Sequence, residues 1–117
     1  MYIFGLLYSI QASASCVVSK TAAEASVGEQ LGYCVSKIAQ LNTIWGSVRL
    51  RPDSNISGFG CSLDHEGIDV PLDNEQQKAQ FSMLLAALHA QKTMVVTVNK
   101  RNTNEDCKVG YIRANAS

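Results

Sequence analysis

The chain has 117 residues, 46% of them hydrophobic, and its ten basic and ten acidic side chains give a formal net charge of +0. That balance lacks the surplus of Lys and Arg on which phosphate neutralisation rests, so nucleic acid is excluded as the expected partner and anionic membranes have little to attract. The length suits one domain whose small core gains from cross-links, and four cysteines are present to make them.

Met1 to Ile10 is apolar and runs into Ala12-Ser13-Ala14, small side chains of the kind a signal peptidase accepts. The expectation is a signal peptide over residues 1–14, cleaved after Ala14, with residues 15–117 as a single domain. No Lys or Arg precedes Lys20, although an ordinary signal peptide opens with one, and a buried N-terminal strand is the competing reading. The run is too short to cross a bilayer, which takes about 20 apolar residues, so no membrane insertion is expected. Ser13 stands where a lipoprotein signal wants a Leu-like residue, which leaves Cys16 for a disulfide. Export places the chain in a secreted or periplasmic setting.

Ala22 to Gly28, small and polar, reads as a loose N-terminal arm. Tyr33 to Leu41 is the first expected strand. Ile44 to Arg51 alternates as a second, with Ile44, Gly46, Val48 and Leu50 on one face and Trp45, Ser47, Arg49 and Arg51 on the other. Pro52-Asp53-Ser54-Asn55 is turn chemistry, since proline fixes φ and Asp, Ser and Asn bond the local backbone. A third strand is expected near Ile56 to Leu63, with Phe59, Cys61 and Leu63 sharing a face and Gly58 and Gly60 marking a bulge or bend.

The spacing predicts a helix from about Asn74 to Gln91, with Asp73 as cap and Gln76 completing a capping box. Phe81, Leu84, Leu85 and Leu88 form one apolar stripe. Ala79, Met83, Ala86 and Ala90 form a second, roughly opposite. Alanine in water explains most of that second stripe through helix propensity alone. Met83 asks for more, and the sharper reading is an oligomer interface. Thr93 to Asn99 and Cys107 to Arg113 are the last two strands, the latter with Val109 and Tyr111 on one side and Ile112 on the other. Between them lies a polar loop.

The predicted fold is therefore mainly β with one helix, in the order β-β-β-α-β-β of a five-stranded oligonucleotide/oligosaccharide-binding (OB-like) barrel, in which a helix plugs the gap between the third and fourth strands. The stretch from Cys61 to Val98, with a cysteine before the helix, a Phe-x-x-Leu-Leu face and a β run directly after, resembles the B subunits of bacterial AB5 toxins, particularly the pertussis-like group. Phe81-Ser82-Met83-Leu84-Leu85-Ala86-Ala87, then Lys92-Thr93, a β run and a late Cys107-Lys108-Val109, is similar to small secreted bacterial proteins of the same element order. The likeness covers about the last 60 residues. It implies a glycan-binding subunit of a five-membered ring whose helices line a pore, with the Ala79, Met83, Ala86 and Ala90 stripe facing its neighbours. The late polar loop and the cysteine-bearing arm depart from the toxin pattern, so no glycan pocket carries over residue by residue.

Four cysteines allow three pairings. Placement on the expected strands favours Cys61 with Cys107, clamping the strands that flank the helix, and leaves Cys16 to pin the arm to Cys34. A thiolate metal site is the runner-up, disfavoured because no Cys-x-x-Cys occurs, and no metal or other cofactor is expected. Asp64-His65-Glu66 with Asp69 is the one dense polar cluster suited to cation binding or acid-base work, against the simpler reading of a solvated loop. His89 reads as a surface histidine. No Gly-x-Ser-x-Gly elbow or phosphate loop is present, so the chain is expected to act by binding and not as an enzyme. Trp45, Arg49 and Arg51 share one strand face, an aromatic plate beside two guanidinium groups that suits a sugar ring and its polar edge. The plainer alternative buries Trp45 under the arm. The expected partner is a glycan, in a homo-oligomer; the other reading is a monomeric periplasmic structural or inhibitory protein that binds another protein. Sequons at Asn55 and Asn115 matter only where the host glycosylates.

Overall fold

The structure, a computed structural model, describes residues 15–44, 47–62 and 67–114. Strands β1 (Ser15–Val18), β2 (Gln30–Ser36), β3 (Ile38–Ile44) and β4 (Ser47–Pro52) lead to a 3-10 turn over Ser57–Phe59. Then come β5 (Ile68–Val70), helix α1 (Glu75–Ala90), β6 (Met94–Lys100) and β7 (Cys107–Ala114). All seven strands join one open sheet in the order β1-β2-β6-β7-β5-β4-β3. Every pair is antiparallel except β5 with β7, whose parallel pairing follows from the crossover through α1 and β6 and the antiparallel reversal from β6 into β7.

The class expected from sequence holds: mainly β, one helix and two disulfides, Cys16–Cys34 and Cys61–Cys107. The five-stranded closed barrel does not form. Cys16 sits on a strand of its own, β1, paired with β2 so that Cys16 and Cys34 are register partners. The long first strand breaks at Lys37, whose carbonyl leaves the ladder to accept from Asp53 N at 2.8 Å and from the Ser36 hydroxyl at 2.6 Å. The third strand lies later than its sequence pattern suggested. Phe59 and Cys61 are buried as expected, but from a 3-10 turn and its exit, and the strand itself is the short Ile68–Val70. Leu63 lies outside the described residues, as do Trp45, Gly46, Asp64, His65, Glu66, Asn115 and residues 1–14.

The arm is not loose. Ala22 and Ala25 are buried, Ala22 N donates to Phe59 O at 2.8 Å, and the buried Lys100 ammonium donates to Ala25 O at 2.9 Å. An ion pair between Lys20 and Glu29 closes its outer side. Gly32 lets this layer form: a Cβ there would stand 2.0 Å from Val17 O and 2.8 Å from the Phe59 ring, so only glycine admits β1 and Phe59 together.

The helix starts one residue later than the predicted box. Asn74 is its cap, accepting from Gln77 N at 2.8 Å, while the Gln77 side chain reaches back to Asp73 N at 2.6 Å. At the far end Gln91 turns left-handed and Lys92 N returns to Ala87 O at 3.0 Å, which stops the helix. Leu84 and Ala87 are buried, with Phe81 and Leu88 packed beside them against a core of Phe59, Leu31, Leu50, Ile68, Met94 and Val98. Leu85, assigned to that stripe from its spacing, is instead 46% exposed.

Candidate functional site

The short strand β5 carries one charged residue between two buried aliphatics. Ile68 and Val70 face the core, so the alternation of a strand turns the Asp69 carboxylate to the other face. Its register partners are Arg49 on β4 and Lys108 on β7, which puts two cations and an anion in one row across three strands, about 4.8 Å from strand to strand. Arg101, at the exit of β6, closes over the row with its Nε 3.6 Å from Asp69 Oδ2. The Asp69 side chain is only 11% exposed and that of Arg101 is 45% exposed, so the anion is the floor and the guanidinium the rim.

Burial raises the Asp69 pKa above its ordinary value. Arg101 and Arg49 pull it back down, while Asp73 and Asp106 add to the rise. A groove of about 390 Å³ opens beside the carboxylate, lined by Ser47, Asp69, Asp73, Gln77, Arg101 and Lys108 among others. This lies within the usual range for ligand pockets.

The rim is braced. Between Arg101 and Cys107 the loop folds on the Asn102 side chain, which donates to Asp106 Oδ2 at 2.9 Å and accepts from Asn104 N at 2.9 Å. Arg101 N donates to Asp106 O at 2.7 Å, and Ser62, beside Cys61, bonds the same loop through Asn104 O at 2.6 Å and Glu105 O at 3.0 Å. The Cys61–Cys107 bridge anchors its end. Arg101 is therefore held at its base before any ligand arrives, and less ordering remains to oppose binding. Chemically, the row offers a carboxylate to accept hydrogen bonds from hydroxyls and charged nitrogens to donate them.

The sequence-selected residues are partly brought together. Arg49 belongs to the row. Arg51, two residues on, faces a separate shallow depression of about 570 Å³ beside Ala39, Asp53 and Asn55. Trp45 precedes β4 and lies outside the described residues, as do Asp64, His65 and Glu66, whose expected companion Asp69 is strand and not loop. His89 is exposed in the last helical turn, and Asn55 is exposed with its side chain accepting from Ser57 N at 2.9 Å. Ala79, Met83, Ala86 and Ala90 are all exposed, and the last three border an apolar depression of about 260 Å³ with Met94 and Ala114. Arg101 and Lys108 were missed because they stand far from β4 in sequence. The available signal was Ile68-Asp69-Val70, a charge wedged between two β-branched residues.

Among the described residues no group of three or more His, Cys, Asp or Glu is placed to hold a metal ion, and no helix is long and apolar enough to cross a membrane. The two disulfides fit a secreted or periplasmic protein. The fold and site thus define a disulfide-bonded, mainly β protein with a preformed charged groove. No known family, curated protein or solved structure matches the chain.

Proposed function

We propose that this protein is a secreted, non-enzymatic binding module that recognises a glycan through the groove on β4, β5 and β7. The observation that carries the reading is the buried Asp69 carboxylate set in a row with Arg49 and Lys108 under Arg101. A groove of alternating acceptors and donors matches the vicinal hydroxyls of a sugar, whose hydrogen bonds run both ways. Its mixed charge gives no reason to select a polyanion.

The connectivity supports an open, OB-like layout. β2 and β3 are separated by Lys37 alone yet stand towards opposite ends of the ladder, so the chain itself bends the sheet round. Taken as two halves of one strand, they complete the OB strand order, with β1 added outside.

The exposed Ala79, Met83, Ala86 and Ala90 face supports assembly into a ring through α1. Light scattering tests that part: the wild type is expected at several-fold the monomer mass and Ala86→Glu at the monomer mass, whereas a monomeric wild type removes the ring. An array of surface glycans tests the recognition. Wild-type protein is expected to bind and Asp69→Asn or Arg101→Ala to lose about 10- to 100-fold in affinity, the range for one hydrogen bond to a charged group. Unchanged affinity in both variants refutes the groove, and a wild type that binds only another protein favours the inhibitory reading.

A further inference from the structure

Strand β7 carries a second feature on the face that holds Lys108. Val98 pairs with Val109 and Val96 with Ile112, so two residues, Gly110 and Tyr111, stand against the single Thr97. This bulge keeps Val109 and Ile112 both buried and turns Tyr111 outward, 49% exposed. Tyr111 N donates to Thr97 Oγ1 at 2.8 Å, which fixes the bulge. On the other side of Thr97 its register partner is Tyr33, 36% exposed.

Thr97 itself is buried although it belongs to the outer face, so it forms the floor between the two tyrosines. The depression they border measures about 480 Å³ and also takes in Gln30, Val95 and Arg113, with no carboxylate among its lining residues. Between Lys108 and Tyr111 strand β7 itself puts no side chain on this face, and the Asn99 carboxamide, its Oδ1 buried, fills the space beside Gly110. Glycine leaves that space: a Cβ there would lie 2.4 Å from Asn99 Oδ1 and 2.5 Å from Thr97 Oγ1. Tyr111 lies three positions along β7 from Lys108, on the order of 10 Å.

We propose that Tyr33 and Tyr111 form an aromatic subsite on the same sheet face as the charged groove, and that the protein binds an oligosaccharide laid along the outer face of β7, over the Asn99 carboxamide that stands between them. One sugar places its hydroxyls against Asp69, Arg101 and Lys108. A later ring in the chain lies on the tyrosines, its C–H face on the phenol rings and its hydroxyls within reach of Gln30 and Arg113. Tyrosine suits this position because it offers an apolar body and a polar tip. The inference rests on the glycan reading of the groove and adds a requirement for chain length.

Four variants and a length series test it. On a printed array of mono- to hexasaccharides, wild-type affinity is expected to rise with chain length within one sugar series. Tyr111→Ala and Tyr33→Ala should lose about three- to tenfold on the longer members and nothing on the monosaccharide. Tyr111→Phe should keep most of the gain, because the ring remains. Arg101→Ala should lower all lengths together. A wild type that binds monosaccharides without any length dependence overturns the subsite while leaving the groove standing. The subsite also falls if the length gain survives both alanine variants. A wild type with no saccharide signal overturns both proposals.

Discussion

Removing the Cys61–Cys107 bridge is expected to cost more stability than removing Cys16–Cys34. The first closes a loop with a sequence separation of 46 and the second one of 18. Chain-entropy loss in the unfolded state then gives about 4 kcal/mol for the longer loop and about 3 kcal/mol for the shorter at 25 °C. Either is a large fraction of the roughly 5–15 kcal/mol that holds a typical domain. Both members of the longer bridge are buried, so alanine replacement adds a small cavity term in the same direction. Urea unfolding of the Cys61→Ala/Cys107→Ala and Cys16→Ala/Cys34→Ala proteins reads the two losses, and both variants should show a steeper urea dependence as the unfolded chain expands. A loss below about 1 kcal/mol for the longer bridge, or a larger loss for the shorter one, refutes the view that the core depends on these staples through loop closure. The longer bridge also anchors the loop that carries Arg101, so its removal should weaken glycan binding even where the fold survives.

Leu84→Ala, at a fully buried position on α1, is expected to cost about 2–5 kcal/mol in chemical denaturation, while Leu85→Ala should stay within about 0.5 kcal/mol. Equal effects would mean that the helix docks by another face. Asp69 gives a pH signature. Its folded-state pKa is raised, so its stabilising contribution is complete below the ordinary carboxylate value and is lost as pH rises through the raised one. The difference in thermal stability between Asp69→Asn and wild type should therefore shift in favour of the variant as pH rises across that window, with glycan binding by the wild type strengthening over the same interval. A flat difference curve contradicts the burial argument. Gly32→Ala should destabilise by about 1–3 kcal/mol, since β1 or the Phe59 ring must yield to the new Cβ, and faster hydrogen exchange at β1 would report the displacement.

What the sequence revealed depended on how local its signal was. Helix α1 and β6 announce themselves through side-chain period and lie close to the predicted ranges, while the strand expected from Ile44 is β4 from Ser47 onward, Ile44 ending β3 as the register partner of Ser47. The disulfide pairing was also legible, because Cys61 and Cys107 flank the helix and Cys16 had only Cys34 left. β5 was not: three residues are too few to show a period, and the Phe59 and Cys61 pattern that imitated a strand belongs to a 3-10 turn buried for other reasons. Tyr111 was placed on the side of Val109 because strict alternation demands it, and one bulged residue reversed that. The charged row was invisible for a related cause. Arg49, Asp69 and Lys108 meet only through strand register, and the parallel pairing of β5 with β7 is a property of the whole topology.

Backbone amide NMR during titration with the tightest-binding array glycan addresses the central claim most directly. The groove reading predicts the largest shift changes at Ser47, Arg49, Asp69, Arg101 and Lys108, extending along β7 to Tyr111 for a longer sugar. Changes confined to α1, to the Arg51 depression, or to no residue at all would contradict it.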